Sequence, residues 1–172
     1  MGMFTGNPKQ EPLHYGEVFG LWSSLTVAKG SMVAYQVYYN HAGDVDLRKF
    51  IEDVIRNVLK PSIEEIETIL KKNQVVLPPA PPERSEADTE RIPVGARIND
   101  PEIAAAISKD FAQGLIADSS MIGQCIREDI ALMYGQFHMK KAQMAAKLLQ
   151  INKEKGWLIP PPLHVDREKD SK

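Results

Sequence analysis

Residues 73–100 form a polar, proline-rich stretch with no helical periodicity, set between two long amphipathic blocks, Leu13 to Asn73 and Pro101 to Lys155. A structureless connection of this length is uncommon inside a compact domain. In an all-α protein its usual cause is a bundle whose second and third helices run parallel, so that the chain must travel the whole bundle length between them. About 28 residues of extended chain reach well beyond the roughly 40 Å that a helix of similar length occupies. The stretch therefore predicts an all-α four-helix bundle of up-down-down-up topology, with the crossover between helices 2 and 3.

The first helix is expected over about 13–41, with an apolar stripe of Tyr15, Val18, Phe19, Trp22, Leu25, Met32, Val33 and Tyr39. Gly16, Gly20 and Gly30 cost helix stability there, and mark close helix-to-helix approach. Ala42-Gly43-Asp44 reads as a glycine stop followed by an aspartate N-cap, opening a second helix over about 44–72. That helix has the cleanest stripe: Leu47, Ile51, Val54, Ile55, Val58, Leu59, Ser62, Ile66 and Ile69. Pro61 inside it predicts a kink. Asp100 as N-cap with Pro101 behind it starts a third helix at 101. Asp118-Ser119-Ser120 offers a local break after it, but matching helix lengths favours one at Cys125 to Asp129, giving helices over about 101–124 and 128–155. The last helix carries Ile126, Ile130, Met133, Phe137, Met144, Leu148 and Ile151 on one side, and an extended proline-rich tail fills 156–172.

At 172 residues, 43% hydrophobic, the chain suits a single domain spanning 1–172. Its 21 Lys and Arg nearly balance 23 Asp and Glu without long blocks of one sign, which argues against nucleic-acid binding and a polybasic membrane anchor. The opening from Met1 to Pro12 lacks the pattern of a signal peptide, Gly6 spoils a myristoylation motif, and no run of about 18 apolar residues suggests a membrane span. With a single cysteine, Cys125, the expectation is synthesis and folding in a reducing cytoplasm.

The Arg127-Glu128-Asp129-Ile130 turn, the Leu148 to Lys155 helix end and the Lys155-Gly156-Trp157 stop before its prolines resemble those of a family of ferritin-like bundle proteins from spore-forming bacilli, similar to spore coat protein F. The resemblance spans most of the chain, including the crossover and the Val94 to Glu102 helix entry. It implies a ferritin-like bundle, a structural or assembly role in the spore coat, and other coat or scaffold proteins as partners. These motifs identify a family and name no chemistry.

Ferritin-like bundles that hold two metal ions use a Glu on each of two helices and a Glu-x-x-His pair on each of the others, because residues three apart aim their ligand atoms at one interior point. Of His14, His41, His138 and His164, only His14 follows a glutamate by three, and Glu11-Pro12-Leu13-His14 is a proline-interrupted helix entry. No metal and no cofactor is therefore expected. The predicted topology sets Lys29, Asp53 to Asn57, Asp110 and Gln143 at one height near the middle. A core ion pair between Lys29 and Asp110 in place of a metal centre is one reading; ordinary solvated positions for both are the other. His14 with Glu17 reads as an exposed helix end that could also take a surface metal.

The leading expectation is a non-enzymatic structural protein, forming homodimers as oligomers commonly do. A first rival is a metal-binding bundle with an atypical carboxylate site drawn from His14, Glu17, Asp53, Asp110 and Glu128. A second is a bundle holding an apolar small molecule among Trp22, Met32, Met121, Met133 and Phe137. Phosphate loops and nucleophile elbows do not occur in the sequence.

Overall fold

A computed structural model describes residues 11–164; the Met-Gly opening and the end of the tail lie outside the described residues. Helix α1 spans Tyr15–His41. Helix α2 runs over 45–72 as Val45–Val54, a π-helical turn Ile55–Leu59 and Lys60–Lys72. Helix α3 spans Asp100–Gln124 and α4 Glu128–Glu154, and among the described residues there is no strand. None of these helices is long and apolar enough to cross a membrane.

Polar contacts at the two ends fix the topology. At the upper end, the Asp100 carboxylate accepts the Gly43 N–H at 2.8 Å and the Asp44 N–H at 3.1 Å, which seats the start of α3 beside the α1–α2 turn. Lys155, just past α4, reaches Asp44 and Asp46 there, both at 2.7 Å. At the lower end, His14 Nε2 lies 3.2 Å from the Gln124 carbonyl. Helices α1 and α4 therefore run up, and α2 and α3 run down.

The crossover climbs the outside of α1. Side chains seven apart, and so two turns apart on one face, hold it. The Trp22 indole donates to Val76 O at 3.0 Å, the Lys29 ammonium to Pro78 O at 2.9 Å, and Gln36 Oε1 accepts the Arg84 N–H at 2.8 Å. Asn40 bonds both Ser85 O and the Ala87 N–H, and His41 accepts the Ile98 N–H.

Several local expectations need correction. The buried face of α1 is Glu17, Leu21, Leu25, Lys29, Met32 and Tyr35, whereas Tyr15 and Phe19 are 95% and 72% exposed. Of the expected stripe, Leu25 and Met32 are on this buried face; apolar residues lie all round the helix and two buried charges sit on its core face, so spacing alone also drew in exposed Tyr15 and Phe19. Of the three glycines of α1, only Gly20 meets another helix, since a Cβ there would collide with the Met121 sulfur; Gly30 faces open space and Gly16 its own His14 ring. Gly43 follows the Ala42 cap as expected, without taking a positive φ. Asn99, not Asp100, caps α3, which frees Asp100 to hold the α1–α2 turn. Pro61 has no N–H for the Asn57 carbonyl, and the widened turn over Ile55–Leu59 accommodates its ring while the helix continues.

The core has two parts. The upper part includes Leu47, Ile51, Ile103, Ile107 and Leu148, with Trp157 folded against it after Gly156 takes φ +70. The lower part includes Leu21, Leu25, Leu70, Ile130 and Tyr134.

Candidate functional site

At the waist, where the two parts of the core meet, a cavity of about 430 Å³ opens between α1 and α3. Small side chains on the facing stripes make it: Ser23, Ser24, Ala28 and Ser31 on α1, Gly114 and Ala117 on α3. Its floor is apolar, built from Val54, Val58 and Ile66 of α2 with Phe111 and Phe137.

The polar groups around it are mostly committed. Lys141 of α4 donates to both oxygens of Asp118, at 2.7 and 2.6 Å. Its stem passes Gly114, where an added Cβ would lie 3.2 Å from Lys141 Cδ. Asp118 is 3% exposed, and this burial pushes its carboxyl above the usual range against the pull of Lys141. The Tyr134 hydroxyl donates to Ser24 Oγ at 2.9 Å, and Ser62 donates to Val58 O at 2.7 Å. Asp110 differs. It is half-buried at the cavity wall and has no hydrogen-bond or ion-pair partner among the described residues. Burial pushes its carboxyl up, and burial with the charge of Asp110 pushes the Tyr35 and Tyr38 hydroxyls up in turn.

The expected site residues do not come together. Lys29 is buried at 9% exposure, but its partner is Glu67 at 2.9 Å, not Asp110. Lys29 projects towards α2 and the crossover, while Asp110 stands across the cavity on α3; the side chain also slants towards the start of α1, lower in the bundle, where Glu67 lies. Glu17 is 1% exposed and not a surface ligand. Its carboxylate accepts backbone N–H groups from His14, Ile126 and Arg127. His14 caps α1 through Nδ1, 2.9 Å from the Gly16 nitrogen. Asp53 faces Asn57 and Lys147 on the surface, and Glu128 is exposed at the start of α4. Among the described residues no three His, Cys, Asp or Glu side chains gather where they could hold a metal ion.

Of the five residues expected to line an apolar pocket, Phe137 alone borders the cavity; Met32, Met121 and Met133 are buried elsewhere, and Trp22 holds the crossover. The Asp118–Lys141 pair had a legible signal, since Lys141 falls on the apolar stripe between Phe137 and Met144. The Cys125 thiol is pushed up to about 11 by burial and by the charges of Glu17 and Asp129, which makes it a poor nucleophile.

A family model described as a protein of unknown function (DUF3231) matches residues 1–169. The chain is 50% identical over 171 residues to the uncharacterized protein YvdQ of Bacillus subtilis (strain 168), covering 99% of this chain and all of that one. A crystal structure described as a "putative spore coat protein" from Bacillus halodurans C-125 is 53% identical, with a TM-score of 0.90 over 93% of this chain and all of that one.

Proposed function

The chain belongs to the DUF3231 family of proteins of unknown function, and from that premise we propose that it is a non-enzymatic structural protein of the spore coat, built on a ferritin-like bundle that works without a metal centre. The observation that carries this reading is the likeness along nearly the whole chain, at 53% identity, to the Bacillus halodurans protein described as a putative spore coat protein. The polar chemistry is in keeping with it. Glu17, Asp100 and Lys155 hold helix ends and turns together, and Lys29 fastens the crossover. At the waist Lys141 takes both oxygens of Asp118, which removes that carboxylate as a ligand for a metal ion. Assembly then proceeds through surfaces. Exposed Tyr15, Phe19 and Val27 on α1 and Ile116 on α3 offer apolar area for a homodimer and for other coat or scaffold proteins.

The test is a blot of growing cells and of coat extracts from purified spores of the host. The protein is expected in the coat extract. Abundance in growing cells with absence from spores would overturn the assignment, and stoichiometric iron, manganese or zinc in the purified protein would overturn the metal-free reading.

A further inference from the structure

The waist cavity has the size and build of a small-molecule site. At about 430 Å³ it falls within the roughly 300–1,000 Å³ of ligand pockets, which are mostly apolar with a few placed polar groups. Its polar groups are unequal. Both oxygens of Asp118 are taken by Lys141, and Tyr134 is bonded to Ser24. Asp110 is left without a partner among the described residues; Lys109 beside it is close enough to act through its charge but forms no bond. Asp110 and Asp118 against Lys141 leave one net negative charge in the lining, so a cation is favoured over an anion. Eight residues along α3 separate Asp110 from Asp118, a rise of about 12 Å, and both carboxylates border the same cavity as the apolar floor.

We propose that this cavity binds a small cationic amphiphile, an amine on a slender apolar body of about 10 Å, with the ammonium group on Asp110 and the body laid along Val58, Phe111 and Phe137 towards the Asp118–Lys141 pair. The ammonium completes a carboxylate that the fold leaves half-desolvated and unpaired, and the apolar body fills space that neither part of the core reaches. This activity is separate from the coat reading, and neither depends on the other.

Isothermal titration of the full-length protein with n-octylamine tests it, with n-octanol and octanoate as comparators, all below the concentrations at which they aggregate. Octylamine is expected to saturate at one per chain, octanol to bind more weakly and octanoate not to bind. Asp110→Asn should weaken octylamine about tenfold, to the level of octanol. Because Asp110 has no partner to lose, this variant keeps the fold. Ala28→Trp, at the half-buried rim, should abolish uptake of both by filling the cavity. Octanoate binding as tightly as octylamine, an Asp110→Asn affinity equal to wild type, uptake that survives Ala28→Trp, or uptake without saturation would each overturn the proposal. So would a dimer in sedimentation that takes up no octylamine, since a second copy would then be the occupant.

Discussion

The carboxylate of Glu17, near the start of the first helix, closes on the backbone of Arg127 at the start of the last. Oε1 accepts the Arg127 N–H at 2.9 Å and the Ile126 N–H at 2.8 Å, while Oε2 accepts the His14 N–H at 3.1 Å. Arg127 completes the fastening, donating to Glu11 O at 3.1 Å and pairing with Asp129 at 2.8 Å. One buried anion thus satisfies the free N–H groups of two helix starts and lies at the positive end of both helix dipoles.

Glu17→Ala strips three buried or half-buried N–H groups of their acceptor and should destabilise the fold by about 3 kcal/mol. Glu17→Gln keeps one carbonyl oxygen for Ile126 and Arg127 but turns an amide donor towards His14, so its effect should be smaller. Urea denaturation of the three proteins gives the comparison. A Glu17→Ala midpoint equal to wild type would mean that water replaces the carboxylate.

Asn40 holds the crossover at three points: Nδ2 donates to Ser85 O, Oδ1 accepts the Ala87 N–H, and its backbone carbonyl accepts from the Thr89 hydroxyl. Asn40→Ala removes the first two and leaves the helix intact. The expected outcome is faster hydrogen exchange at Ala87 and earlier proteolysis within 83–88, with little change in the global melting temperature, because that segment contributes no buried side chains.

The crossover was legible because a long aperiodic stretch flanked by helical blocks leaves few folds open, and parallel second and third helices follow from its length. What holds it was not legible. Trp22, Lys29 and Gln36 stand two turns apart, but no hydropathy pattern distinguishes a side chain that donates to a distant carbonyl from one in water. The α1 stripe misled for a related reason: buried Glu17 and Lys29 find their partners on Arg127 and Glu67, far along the sequence, while Tyr15 and Phe19 sit outside. The cavity is an absence of volume, which depends on how two stripes of small residues are rotated towards each other. Sequence supplies the stripes and not the rotation.

Gly30 and Gly20 lie on the same helix and should respond differently to the same change. Nothing lies within 4 Å of a Cβ at Gly30, so Gly30→Ala should stabilise the protein by about 0.5–1 kcal/mol through helix propensity and a less flexible unfolded chain. At Gly20 the new methyl meets the buried Met121 side chain, whose displacement opposes that gain. Gly20→Ala should therefore fall below Gly30→Ala in melting temperature, and Met121→Ala should narrow the difference between the two.

Asp110 gives the dependence on pH a distinctive sign. Asp44, Glu67 and Asp129 are held below the usual carboxylate range by Lys155, by Lys71 with Lys29, and by Arg127. Their contribution is fully present above about pH 4 and is lost as the pH falls through the lowered folded values. Asp110 and Asp118 are shifted up by burial, so theirs is present below about pH 4 and lost as the pH rises through the raised values. Asp110→Asn removes that loss without breaking a bond, and should melt above wild type at pH 7, with the gap closing towards pH 4. Asp118→Asn shares the direction of the shift but strands the Lys141 ammonium, and should melt below wild type at pH 7. Melting curves from pH 3 to 8 separate the two variants. An Asp110→Asn gap that does not change with pH would mean that the carboxylate of Asp110 is solvated rather than held against the cavity wall.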